Sequence, residues 1–157
     1  MSVPDGYKVD YTAKQEKQSI TEMVPKAESV KDWTEMVTVQ IFYGQKATTQ
    51  QFKARLATLW SQACPGGVSL HVTEAIENGY PALVWLQMCP NNPQTAKPEW
   101  TWVKALAGHD SLYVVQKAFR FEPSKEQVVQ WTKYLRGVAV CDSRIKERSC
   151  PAALRTQ

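Results

Sequence analysis

Hydrophobic and polar residues alternate along much of this chain, which is the pattern of β-strands with one buried face. The strongest example is Trp33–Tyr43, a segment rich in β-branched and aromatic residues. In the first segment the alternation places Tyr7, Val9 and Tyr11 on one face. The pattern predicts seven strands, at residues 6–11, 18–24, 33–43, 68–73, 80–88, 100–107 and 112–121.

Two other segments repeat their apolar residues with the period of an amphipathic helix. Each begins with a predicted capping box, Thr48 with Gln51 and Ser124 with Gln127. The first helix has an apolar stripe of Phe52, Leu56, Leu59, Trp60 and Ala63 and stops at Pro65-Gly66-Gly67. The second has a stripe of Val128, Trp131, Thr132 and Leu135 and ends near Gly137.

Turn residues between these elements fix how the strands connect. Asn78-Gly79 is the signature of a tight hairpin, and the proline-rich segment 90–99 is predicted to be an exposed loop. The element order β-β-β-α-β-β-β-β-α favours antiparallel neighbours. We therefore predict one α+β domain over residues 1–157, an antiparallel sheet of six to seven strands packed with two amphipathic helices.

Composition and charge narrow the functional classes. The 157 residues are 43% hydrophobic and 22% charged, as in ordinary soluble domains. Nineteen basic and fifteen acidic residues interleave to a net charge of +4, so no basic stripe points to nucleic acid. No apolar stretch approaches the roughly 18 residues of a membrane span.

The chain has four cysteines, and three of them lie beside turn residues. Their wide, irregular spacing is unlike that of zinc ligands, and no Cys-x-x-Cys redox motif occurs. Of the three possible pairings, we favour Cys64 with Cys89 and Cys141 with Cys150. The second bridge would close the polar loop 142–149, ahead of a frayed tail at 152–157.

Disulfides form in oxidising compartments, so this pairing predicts a periplasmic or extracellular protein. No signal peptide is visible, and we interpret Met1 as replacing a removed leader. The alternative is a cytosolic regulatory module with reduced thiols, which cysteine Cα separations above about 7 Å would favour.

Three strand segments carry a resemblance to known proteins. The segments 32–40, 100–105 and 113–119 resemble small exported proteins of unknown function from Gram-negative bacteria. The resemblance covers about residues 30 to 141 and implies a location outside the cytosol, without a catalytic motif. The element order also resembles the PsbP-like fold, which implies topology alone.

Candidate chemistry is sparse. His109-Asp110 is the nearest approach to an acid–base pair, although its Gly108–Ser111 setting favours ordinary hairpin-turn chemistry. His71 lies on the polar face of its strand. Lys104, Lys117 and Arg120 are expected to form a solvated basic rim on paired strands.

Six tryptophans are many for this length, and core packing accounts for most of them. Trp100 and Trp102 share a strand face beside the proline-rich loop, and Trp85 joins them if its face meets solvent. We take Trp85, Trp100, Trp102 and His109 as candidate binding residues.

Together these features predict an exported binding protein that docks a protein or an envelope component, one version being an immunity or inhibitor protein. No catalytic residue, metal or cofactor is assigned. The competing hypothesis is an enzyme of unrecognised class that uses His109 and Asp110.

Overall fold

The structure is a computed structural model that describes residues 2–150, and it contains one seven-stranded sheet and two α-helices. This confirms the predicted α+β class. The elements are β1 (Tyr7–Lys14), β2 (Gln18–Pro25), β3 (Glu35–Tyr43), α1 (Thr49–Ala63), β4 (Val68–Glu77), β5 (Tyr80–Asn92), β6 (Lys97–Ala107), β7 (Ser111–Phe119), α2 (Lys125–Gly137) and a 3₁₀ turn (Lys146–Arg148).

The strands lie in the order β1-β2-β3-β7-β6-β5-β4, and every neighbouring pair is antiparallel. Three strands form one half as a meander, and α1 then carries the chain across to the far edge. The remaining four strands return as a second meander until β7 pairs with β3. This connection leaves β1 and β4 as the two edges of the sheet.

The two helices cover opposite faces of the sheet. On the first, here called the α1 face, Phe52 and Leu56 of α1 pack against a buried cluster that includes Leu83, Trp85 and Val103. On the second, the α2 face, Trp131 and Leu135 of α2 pack among Met23, Val37, Trp102, Val115 and Phe119. Within residues 2–150, no helix is long and apolar enough to cross a membrane.

Both predicted capping boxes are present. Thr48 Oγ1 accepts from Gln51 N at 3.1 Å, and Ser124 Oγ accepts from Gln127 N at 3.3 Å. The Asn78-Gly79 turn is also confirmed, since both residues have positive φ, +49° and +77°. Local sequence therefore determines where the helices begin and where β4 reverses into β5.

Several strands differ from prediction: β1 extends to Lys14, β3 begins at Glu35 and β4 extends to Glu77. β1 carries a bulge between Val9 and Tyr11, so Tyr11 pairs with Glu22 and leaves the face that Tyr7 and Val9 share. The predicted loop 90–99 is mostly strand, because β5 runs on to Asn92 and β6 begins at Lys97. Only residues 93–96 turn the chain.

Both predicted disulfides are present, with Cα separations of 5.8 Å for Cys64–Cys89 and 4.8 Å for Cys141–Cys150. These distances are short enough for bridging, against the reduced-thiol alternative. The first bridge ties the end of α1 to β5. The second closes the loop 142–149 as predicted, and the tail at 152–157 lies outside the described residues.

Candidate protein-docking site

Lys117 of β7 is a basic residue whose side chain is fully buried. Its Nζ donates to Glu35 Oε2 at 2.6 Å and to Tyr7 Oη at 2.7 Å. It also lies 4.0 Å from the centre of the Trp131 ring and 4.3 Å from that of Phe119. Burial lowers the pKa of Lys117 to about 8, against the opposing effect of the Glu35 carboxylate.

Tyr7 completes this network by donating to Glu35 Oε2 at 2.6 Å, and burial raises the pKa of its hydroxyl. Perturbed pKa values occur in structural ion-pair networks as well as in active sites. Here the buried ammonium joins β1, β3 and β7 beneath Trp131 of α2. The arrangement fits a structural role, in which Lys117 holds these three strands and α2 together, because protein oxygens and aromatic rings surround the amine.

Lys104 has a comparable role at the end of α2. Its Nζ donates to the backbone oxygens of Leu135 and Val138, at 2.9 and 2.7 Å, and to Glu77 Oε2 at 2.6 Å. Carbonyls at a helix C-terminus lack intrahelical donors and favour a nearby cation. Lys104 therefore links α2 to the end of β4.

The expected basic rim is consequently wrong for Lys104 and Lys117, which are both 0% exposed. Arg120 is half-buried, with its guanidinium 3.8 Å from the centre of the Trp33 ring. The sequence does contain a signal, since Lys104 lies two residues from Trp102 and Lys117 two residues from Phe119. Alternation puts these lysines on the apolar face, where only hydrogen-bond acceptors or a carboxylate can offset the free-energy cost of burying the ammonium group.

The His109-Asp110 pair lies in the turn between β6 and β7. The Asp110 carboxylate accepts from Arg144 Nη1 at 2.9 Å, and this bond holds its pKa below the usual range. Arg144 also bonds Asp142 through two nitrogens, at 2.8 and 2.7 Å. Asp110 thus helps to anchor the disulfide-closed loop, while His109 is exposed.

Metal ligation finds no support among the residues that the structure describes. Within 2–150, no group of three or more histidine, cysteine, aspartate or glutamate residues is arranged to hold a metal ion.

The candidate tryptophans separate into buried and accessible positions. Trp85 is 0% exposed beneath α1, where it contacts Phe52. Its face does not meet solvent, so Trp85 does not belong to a surface patch. Trp102 is also buried, at 7% exposure, because α2 covers it. Trp100 is only half-buried and stacks on Trp102 with ring centres 6.2 Å apart. Among these rings, Trp100 retains access to solvent.

The edge strand β4 exposes four large apolar side chains, and three of them lie in its first half. Val68, Leu70 and Val72 are 45%, 48% and 46% exposed. The register continues this surface inward, since Val68 pairs with Met88 and Met88 with Trp100. We call this set the β4 surface, which comprises Val68, Leu70, Val72, Leu86, Met88 and Trp100.

The β4 surface has a defined limit at a β-bulge. The β4–β5 register shifts between His71 and Thr73, so Val72 is the extra residue. A cavity of about 220 Å³ lies there, lined in part by Val72, Trp102 and Leu135. Beyond the bulge, Glu74 accepts a hydrogen bond from Gln50 of α1, Glu77 pairs with Lys104, and the exposed Ile76 lies between them.

The outer edge of β4 adds a second binding element. β4 ends the strand order, so its outer backbone N–H and C=O groups have no strand partner within residues 2–150. Unpaired edges with apolar side chains are templates for an added strand. The alternation of Val68, Leu70 and Val72 predicts a half-buried strand, but only the completed topology shows that β4 is an edge.

Comparison with known proteins identifies the fold and nothing further. No protein-family model matches the chain, and neither does any curated protein. Solved structures that it resembles include a mutant of protein Mog1, with TM-score 0.50, 14% identity, 83% of this chain and 75% of that chain covered. The Saccharomyces cerevisiae Ran-binding protein Mog1p gives TM-score 0.49 at 13% identity and the same coverage. At 14% identity, the likeness to the Mog1 mutant shows a shared fold only.

Proposed function

We propose that this chain is an exported protein-binding domain whose partner docks on the β4 surface. The observation that carries the proposal is the exposed apolar row of Val68, Leu70 and Val72, continuous with Trp100 and bordered by an unpaired strand edge. Backbone groups of the edge supply affinity in strand addition, and alternate side chains supply selectivity. Apolar surface of this kind on a soluble domain marks an interaction site.

The exported location is supported by the two disulfides, one buried at the α1 end and one closing the loop 142–149. Disulfides persist in the periplasm and outside the cell, where thiols are not kept reduced. The resemblance to exported proteins of Gram-negative bacteria points to the same compartment and remains a prediction.

The partner is identified by chemistry and not by fold. Mog1p is a Ran-binding protein, but a shared fold does not transfer a partner. An extended segment with apolar residues at alternate positions fits β4, because a strand added at this edge would set its apolar side chains beside Val68, Leu70 and Val72. An immunity or inhibitor role is one form that such docking would take.

The test compares two aspartate variants of exposed apolar residues. Leu70→Asp places a charge in the β4 surface, while Val129→Asp does so on the outer side of α2, where Val129 is 69% exposed. Both are surface changes, so unfolding free energy should shift by only about 0.5 kcal/mol. Wild type, each variant and a tag-only control are used to capture proteins from the envelope fraction, with quantification by mass spectrometry.

We expect wild type and Val129→Asp to capture the same protein, and Leu70→Asp to capture at least tenfold less of it. Equal recovery with all three proteins, or loss with Val129→Asp alone, would remove the β4 surface as the docking site. The melting temperatures of the three proteins show that any loss is not a folding defect.

A further inference from the structure

The first five residues of β4, which end at the bulged Val72, have a pattern of apolar and polar positions that is the same in both directions. The five residues are Val68-Ser69-Leu70-His71-Val72, so apolar and polar positions are symmetric about Leu70. The three apolar side chains lie on the α2 face with nearly equal exposure, 45%, 48% and 46%. A symmetric homodimer requires such a self-complementary patch, because one surface serves both copies.

An antiparallel pairing about a two-fold axis at Leu70 sets each apolar residue of this segment opposite an apolar residue and each polar residue opposite a polar one. Leu70 would face Leu70 of the second copy, and Val68 would face Val72. On the opposite side of the sheet, Ser69 would face His71. No residue from 68 to 72 carries a carboxylate, lysine or arginine, so the pairing brings no fixed like charges together.

The opposite edge of the sheet differs in these respects. β1 presents Lys8, Asp10 and Lys14 and a bulge near its centre, and charges and bulges are the usual protection of an edge against pairing. In β4 the bulge at Val72 and the acidic residues Glu74 and Glu77 lie only at the end of the apolar segment. They would limit pairing to residues 68–72 and fix its register.

We propose that the occupant of the β4 surface is a second copy of this chain, paired antiparallel through residues 68–72. This inference rests on the proposed function, since it names the protein that docks there. The dimer joins two seven-stranded sheets across β4 and covers the exposed faces of Leu70 and its neighbouring valines. Because the paired segment is short, we expect the dimer to depend on protein concentration.

Sedimentation velocity over a hundredfold concentration range tests the dimer. Wild type and Val129→Asp should shift from monomer to dimer across the range, and Leu70→Asp should remain monomeric throughout. A monomeric wild type at every concentration overturns the inference, and so does a dimer that Leu70→Asp leaves unchanged.

Single cysteines then test the register. Opposed residues of an antiparallel pair have Cβ atoms about 4.5–5.5 Å apart, so Leu70→Cys should form an intermolecular disulfide with itself on mild oxidation. Val68→Cys alone should not, whereas a mixture of Val68→Cys and Val72→Cys should cross-link. Efficient cross-linking of Val68→Cys to itself would contradict the two-fold axis at Leu70.

The two proposals fail in different ways. A monomeric wild type whose envelope partner is still lost with Leu70→Asp overturns the dimer and leaves docking on β4 intact. If wild type is monomeric and Leu70→Asp captures the same proteins in the same amounts, both the dimer and the docking site on β4 are overturned.

Discussion

Lys117 places a positive charge in the core, between two oxygen acceptors and the rings of Trp131, Phe119 and Tyr7. The ionisable groups near it are Glu35 and Glu28, which favour the charged amine, and the hydroxyl of Tyr7. Burial outweighs both carboxylates and brings the pKa of Lys117 to about 8 from its ordinary 10.5. At the residue scale, the titration of this amine therefore makes the free energy of unfolding vary with pH in the alkaline range.

The direction follows from proton binding in the two states. Between pH 8 and 10.5 the native amine loses its proton while the unfolded amine keeps it, so Lys117 makes the protein more stable as pH rises. The Tyr7 hydroxyl, whose pKa is raised, opposes this only above pH 10. We expect the unfolding free energy of wild type minus that of Lys117→Met to increase from pH 7 to pH 10.

Urea denaturation of both proteins across this pH range measures that difference. Lys133→Met, on the exposed side of α2, is the matched control and should give a flat difference. A flat or falling difference for Lys117→Met would show that burial does not control the charge of Lys117.

Residue-level patterning predicts the cysteine partners and several apolar positions, but it misassigns the two lysines. Charged side chains usually remain in solvent. For that reason Lys104 and Lys117 are predicted to be exposed, although the alternation of their strands places them on the buried face. Their acceptors, Glu77 for one and Glu35 for the other, are 27 and 82 residues away in the chain. Such acceptors become visible only when the strands are assembled.

At the scale of elements, the two disulfides hold different kinds of structure. Cys64 and Cys89 are 2% and 0% exposed between α1 and β5, whereas Cys141 and Cys150 are only half-buried. The loop closed by the second bridge docks on the β4–β5 turn, where Asn78 Nδ2 donates to Arg148 O at 3.3 Å. In addition, Arg148 lies 4.6 Å from the centre of the Tyr80 ring.

Thiol exchange requires access to sulfur, so the two bridges should differ in reactivity. We expect a dithiol reductant to open Cys141–Cys150 at least tenfold faster than Cys64–Cys89 in the native protein, giving two thiols and the oxidised reductant. Alkylation followed by peptide mass spectrometry at timed intervals measures both rates. Equal rates in native protein, or faster opening of Cys64–Cys89, would contradict the burial difference, and unfolding in urea should abolish it.

Element boundaries follow from sequence wherever a local interaction sets them. Both helix starts are recognisable because the capping partners Thr48–Gln51 and Ser124–Gln127 are three residues apart. The bulges at Asp10 and Val72 were missed, because each depends on pairing with a neighbouring strand. Tyr11 changes face for that reason.

At the scale of the whole molecule, the long connection through α1 determines which surfaces remain open. It sends β4 to the far edge of the sheet, while α2 covers Trp102 and leaves Leu70 exposed. The sequence predicts the class of fold, but not the strand order that makes β4 an edge. Trp100 was identified as a candidate binding residue, and its neighbours on β4 were not.

Site-specific photo-cross-linking in the native envelope tests the proposed docking most directly. A photoreactive amino acid at position 70 reports on the β4 surface, and the same group at position 129 reports on the outer side of α2, which is more exposed. The account predicts a discrete protein adduct from position 70, whether to a second copy or to another protein, and none from position 129. Absence of an adduct at position 70 in folded, exported protein, or indistinguishable adducts at both positions, would contradict it.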